Sequence, residues 1–91
     1  MIDLTRAALS QLDPDERPGM LKLALRRELA RVLRVEPGQV DAAAPVTALG
    51  LDSLGAVELA QAVEQGLGVP LPLDELLDGP SLGELSRRLL E

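Results

Sequence analysis

The hydroxyl in this sequence whose setting best suits chemistry is Ser53, in the run Leu49-Gly50-Leu51-Asp52-Ser53-Leu54. Asp and Ser both accept hydrogen bonds from the free backbone N–H groups at a helix start. A glycine just upstream, Gly50, lets the chain turn tightly before it. The pattern therefore predicts a small hydroxyl at a loop-to-helix junction, open to solvent. A phosphate attached there lies near the unpaired N–H groups and positive dipole end of the following helix. Leu51, Leu54 and Val57 flank it as apolar residues able to dock onto a partner protein. Asp-Ser is also among the commonest ways to start a helix, so the pair by itself identifies nothing.

The chain holds no group to activate that hydroxyl. It has no His and no Cys, which excludes a Ser–His or Cys–His nucleophile pair, a thiolate or imidazole metal site and a disulfide. A serine hydrolase is ruled out on the same ground. Lys22 is the single lysine, leaving carboxylates and arginines on a scaffold with little room for a pocket. A serine that depends on a second protein for activation fits a modified residue better than a catalytic one. The expectation is a non-catalytic domain.

Composition says which elements must position Ser53. The apolar fraction is 46%, almost all Leu, Ala and Val, with no Phe, Tyr or Trp. Leu and Ala are strong helix formers, whereas strands prefer β-branched and aromatic residues. Residues 2–12 read as a short helix, broken by a linker or turn at Asp13–Gly19, so the domains are expected as 1–18 and 19–91. From Gly19 to Arg34, Leu21, Leu25, Leu29, Val32 and Leu33 form one buried stripe against a basic face. Residues 35–52 make a long loop, pinned by Val40, Val46 and Leu49, and loops of this length are more often functional than not. Asp52-Ser53 opens a second helix with Ala56, Leu59, Ala60 and Val63 inward, ending near Gly66 and Gly68. A short helix at Leu73–Leu77 follows. Ser81 and Glu84 then form the S-x-x-E capping box of a last helix. The expected architecture is all-α: three longer helices plus one short one in a four-helix bundle.

Charge is lopsided. Residues 1–45 carry seven acids and seven bases; residues 46–91 carry eight acids and two bases, the source of the net charge of −6. Such a field repels nucleic acid and anionic membrane and steers cationic protein surfaces toward it. No stretch approaches the roughly 20 apolar residues of a membrane span, and no signal-peptide run opens the chain. The expected location is cytoplasmic.

The run Leu49-Gly50-Leu51-Asp52-Ser53-Leu54-Gly55-Ala56-Val57-Glu58-Leu59 closely resembles the phosphopantetheine-attachment motif of acyl carrier proteins, particularly those of modular polyketide synthases. The resemblance extends over roughly residues 19–90. Leu25 to Leu33 looks like the family's first helix, Gly68-Val69-Pro70-Leu71-Pro72 like its connector, and Leu76-Leu77-Asp78-Gly79-Pro80-Ser81-Leu82 like the run into its last helix. It implies that Ser53 carries a 4'-phosphopantetheine arm, with Asp52 and Leu54 beside the attachment point. It also implies a recognition face of Leu51, Val57, Glu58, Gln61 and Glu64. Implied partners are a phosphopantetheinyl transferase, an acyltransferase, a ketosynthase and other synthase domains, with the isolated domain monomeric. Leu51 before Asp52 favours an acyl carrier over a peptidyl carrier, which usually has a second Gly there. Val46 stands where many polyketide carriers have Phe, the aromatic many have near Leu77 or Gly79 is missing, and Gln61 stands where Arg is frequent.

Two other readings compete. One is a carrier for an amino acid or hybrid intermediate; the other is a small helical interaction module in which Ser53 is only a cap. A helix-turn-helix DNA binder is disfavoured by the acidic second half and by the absence of a basic recognition helix.

Overall fold

Three leucines one turn apart, Leu21, Leu25 and Leu29, have no exposed surface and form the spine of the protein in a computed structural model that describes residues 5–90. They lie on α2 (Arg17–Leu33), which packs against α1 (Arg6–Ser10), α3 (Ser53–Leu67) and α5 (Leu82–Leu90). The five-residue α4 (Leu73–Leu77) packs against α3. All regular structure among the described residues is helical, and the four expected helices are present together with α1. None of these helices is long and apolar enough to cross a membrane. From α3 and α5 come Leu59, Val63, Leu82 and Leu85, all fully buried, and α4 contributes Leu76. Leucines at three- and four-residue steps thus close the core without an aromatic ring.

The N-terminal segment differs from expectation. Of the proposed helix at residues 2–12, Ile2 and Leu4 lie outside the described residues, and α1 covers Arg6–Ser10 with Leu9 in the core. Asp13–Gly19 is not all linker, because α2 begins at Arg17. Pro18 sits in the first turn, where a missing N–H costs nothing. The boundary expected at residue 18 therefore falls inside α2. Arg17 reaches back and donates to the Leu12 carbonyl (3.2 Å) and the Ser10 carbonyl (3.0 Å), fastening α1 to the helix that follows.

At its other end α2 stops at Leu33, short of the expected Arg34, which takes a left-handed conformation with φ 60°. The Val35 N–H then bonds the Ala30 carbonyl at 3.0 Å, the wrap that satisfies a helix end. A 3-10 turn at Pro37–Gln39 starts the long loop, and Val40 and Val46 pin it as expected. Val46 N–H donates to the Pro80 carbonyl (2.9 Å) and Gly83 N–H to the Ala42 carbonyl (3.3 Å), so the α4–α5 junction holds the loop from beneath. Gly79 has φ +80°, and a Cβ there would meet the Thr47 Oγ1 at 2.7 Å. The Ser81–Glu84 box is formed in both directions, Glu84 N–H to the Ser81 hydroxyl (3.2 Å) and Ser81 N–H to the Glu84 carboxylate (3.4 Å).

This packing can be tested at two positions. Leu59→Ala leaves a cavity at a fully buried site and is expected to cost about 2–5 kcal/mol, read from the denaturant midpoint. Gly79→Ala forces a side chain into a left-handed position against Thr47, with an expected cost of about 1–2 kcal/mol. A midpoint unchanged by Gly79→Ala would contradict the close approach of the α4–α5 junction to the loop.

Candidate functional site

The start of α3 is set by one carboxylate. Asp52 is extended at the N-cap, and its Oδ1 accepts the Gly55 N–H at 2.8 Å while its carbonyl accepts the Ala56 N–H at 2.8 Å. This leaves the N–H groups of Ser53 and Leu54 without a backbone acceptor among the described residues. Ser53, the first residue of α3, is exposed, and its hydroxyl makes no hydrogen bond within the described residues. The site therefore presents an open hydroxyl beside two free amides at the positive end of a 15-residue helix. A phosphodiester on Ser53 fits there, since free amides and dipole both favour an anion.

Gly55 explains how closely this end of α3 can approach α2. A Cβ on it would lie 3.0 Å from the Leu51 Cδ1 and 3.1 Å from the Val32 Cγ1, tighter than an ordinary packing contact. The backbone of α3 rests almost directly on the last turn of α2. Alongside this contact runs a groove of about 440 Å³. Arg31, Val32 and Arg34 form its α2 wall; Leu54, Glu58, Gln61 and Gln65, spaced four, three and four residues apart, form its α3 wall.

The expected recognition residues separate in space. Leu51 does not belong among them. It is 5% exposed and packs in the core, because the loop must seal the bundle just before Asp52 turns outward. Leu54 is the reverse, an apolar side chain left 69% exposed beside Ser53. Asp52, Leu54, Glu58 and Gln61 share the groove. Val57 and Glu64 belong to the adjacent stripe, which also includes Ser53 and Ala60 and is turned by about 100° on the helix. Val57 is half-buried and Glu64 exposed.

Sequence reasoning missed the α2 side of this site. Arg31 and Arg34 read as solvent-facing cations, and Glu28 received no role. Glu28 is 4% exposed, and Arg31 donates to its Oε1 from both Nε, at 3.0 Å, and Nη2. The hydrogen bond to Glu28, then the charge of Glu28 and more weakly that of Glu58, raise the Arg31 pKa above its ordinary value. The available signal was the glycine in the first turn of α3, which marks a close helix–helix approach and hence identifies the α2 residues beside it.

Comparison with known proteins agrees with this geometry. Residues 24–89 match the family described as phosphopantetheine attachment site. The chain is 40% identical over 86 residues to a phenolphthiocerol/phthiocerol polyketide synthase protein of Mycobacterium tuberculosis, covering 94% of this chain and 4% of that protein. It is 36% identical over 84 residues to the pikromycin polyketide synthase component PikAII of Streptomyces venezuelae, covering 91% of this chain and 2% of that protein. The chain thus spans a few per cent of the length of these relatives. Among solved structures, the A1-type ACP domain from module 5 of MLSA1 superposes with a TM-score of 0.83 over 99% of this chain and 91% of that one, at 24% identity, a likeness of fold. A free-standing peptidyl carrier protein from Acinetobacter baumannii gives 0.75 over 80% of this chain and 91% of that one, at 27% identity. With an exposed serine at the mouth of α3 inside the matched span, the chain belongs to the phosphopantetheine attachment family, whose carrier domains hold acyl groups on a 4'-phosphopantetheine arm.

Proposed function

We propose that this domain carries polyketide-type acyl intermediates on Ser53, serving separate enzymes of a synthase in the cytoplasm and catalysing nothing itself. The observation that carries this reading is the Ser53 hydroxyl, exposed and free of hydrogen bonds within the described residues, at the start of α3. Polyketide synthase relatives at 40% and 36% identity support the acyl over the peptidyl version. A chain without His leaves the proton of Ser53 to a base on another protein. In the loading step the Ser53 Oγ forms its bond to phosphorus as the pyrophosphate bond of coenzyme A breaks. The proton passes to the phosphopantetheinyl transferase, and the nucleotide leaves. Once attached, the arm supplies a terminal thiol that holds the acyl group as a thioester.

Acyltransferase and ketosynthase must then visit in turn and leave quickly. Weak, salt-sensitive charge recognition suits such visits better than a large apolar interface. Asp52, Glu58 and Glu64 are the proposed charged contacts and Leu54 and Val57 the apolar ones. Gln61 adds a neutral polar group to the same helix. These visiting enzymes are also how the acyl and peptidyl readings separate: the acyl reading expects loading from an acyltransferase, the peptidyl one from an adenylating enzyme.

Incubation with a promiscuous transferase and coenzyme A is expected to add one phosphopantetheine by intact mass, and none to Ser53→Ala. Equal labelling of the two proteins, or none of either, refutes the assignment. Asp52 has two separable roles. Asp52→Ala removes the cap and is expected to cost about 1 kcal/mol of stability. Asp52→Asn keeps a capping oxygen and should hold the melting temperature while lowering the rate of arm transfer, if the transferase reads the charge. Unchanged transfer by Asp52→Asn confines this residue to capping.

A further inference from the structure

The groove beside Ser53 has a chemical character that the attachment reaction does not require. Of its two acids, Asp52 accepts the Gly55 N–H, and Glu58 lies on the α3 wall across from Arg31, which is itself held by Glu28. Arg34 is left as a cation with no ion pair among the described residues. Gln61 and Gln65, four residues apart on the same wall, make no side-chain hydrogen bond among those residues. Each can both donate and accept.

The backbone of Arg34 adds an independent observation. It is the one non-glycine residue with positive φ among the described residues. That conformation crowds the Cβ of an ordinary side chain, and glycine is its usual occupant at a helix end. An arginine kept there, on the wall of the groove, points to a use for its guanidinium.

We propose that this α2–α3 groove is the resting site of the loaded arm and selects oxygen-bearing acyl chains over plain alkyl ones, an inference resting on the carrier function. Arg34 faces the phosphodiester, whose geometry suits a guanidinium. Gln61 and Gln65 pair with amides of the arm or with hydroxyl and keto groups of the cargo. Val32 and Leu54 supply a narrow apolar strip. An alkyl chain laid here would cover the two carboxamides without replacing their hydrogen bonds with water, which disfavours it. From Asp52 to Gln65 the wall runs about 20 Å at 1.5 Å per residue, leaving room for a chain lying along the helix.

The test is amide chemical-shift mapping of ¹⁵N-labelled protein in four forms: unmodified, arm-bearing, and arm-bearing with an octanoyl or a 3-hydroxyoctanoyl group in stable amide linkage. Shifts are expected at Val32, Arg34, Gln61 and Gln65 when the arm is present, larger with the hydroxylated chain than with the alkyl one. Arg34→Gly offers the conformation's preferred residue, so it should fold with an equal or higher melting temperature yet lose most of these shifts. Lys22→Ala, a cation on another groove, should retain them. Intact mass establishes loading first. A loaded arm whose shifts stop at Asp52–Gly55, or an alkyl chain that moves the amides of Leu59 and Leu76 more than those of the groove, overturns the proposal and spares the carrier function. Failure to load overturns both.

Discussion

The structure depends most on where α3 begins. One carboxylate, Asp52, accepts the third N–H of the helix and fixes the next residue at its first position. Everything about Ser53 follows from that placement: its exposure, the two free amides beside it and the dipole end it faces. A start one residue later would turn the hydroxyl by about 100° around the helix axis. Gly55 makes the same turn sterically possible, since a larger residue there would press on Leu51 and Val32. Capping and close approach thus act within a single turn to aim one side chain.

The long loop from α2 to α3 is ordered to deliver that turn intact. Its inward residues, Val40 and Val46, are nearly or fully buried, and Leu51 closes the last gap before the chain emerges at Asp52. The hydrogen bond from Val46 to the Pro80 carbonyl ties the loop to the far end of the sequence. The site is local in sequence but is held in place by the α4–α5 junction. Such an arrangement lets a long stretch without α-helix act as a rigid support.

Much of this was legible because helices write themselves in local patterns. The leucine spacing of α2, the Asp52-Ser53 start, the Ser81–Glu84 box and the short Leu73–Leu77 helix all depend on residues a few positions apart. What stayed hidden depends on tertiary contact. Leu51 reads as a surface neighbour of Ser53, and only the packing of the loop shows that it faces inward. Glu28 falls on the leucine stripe by spacing, three residues after Leu25, but only the packed structure shows the buried carboxylate held by Arg31. Pro18-Gly19 reads as a break, whereas α2 starts one residue earlier and within its first turn neither residue interrupts the helix. The groove combines the end of one helix with the start of another, which no periodicity within either could reveal.

The distribution of charge over the helices has a mechanical consequence. Base-rich α2 and α5 pack together, while the acids of residues 52–78 lie on α3 and α4 or cap them, and those two helices pack on each other. The domain is therefore electrically polar as well as negative. In the non-uniform potential near a cationic enzyme such a body feels a torque as well as a pull. It rotates during approach, like a compass needle, so that the helix bearing Ser53 leads before any surface touches. For a domain whose serine must be reached by a second protein, turning into register during the final nanometre of diffusion shortens the search for a productive meeting.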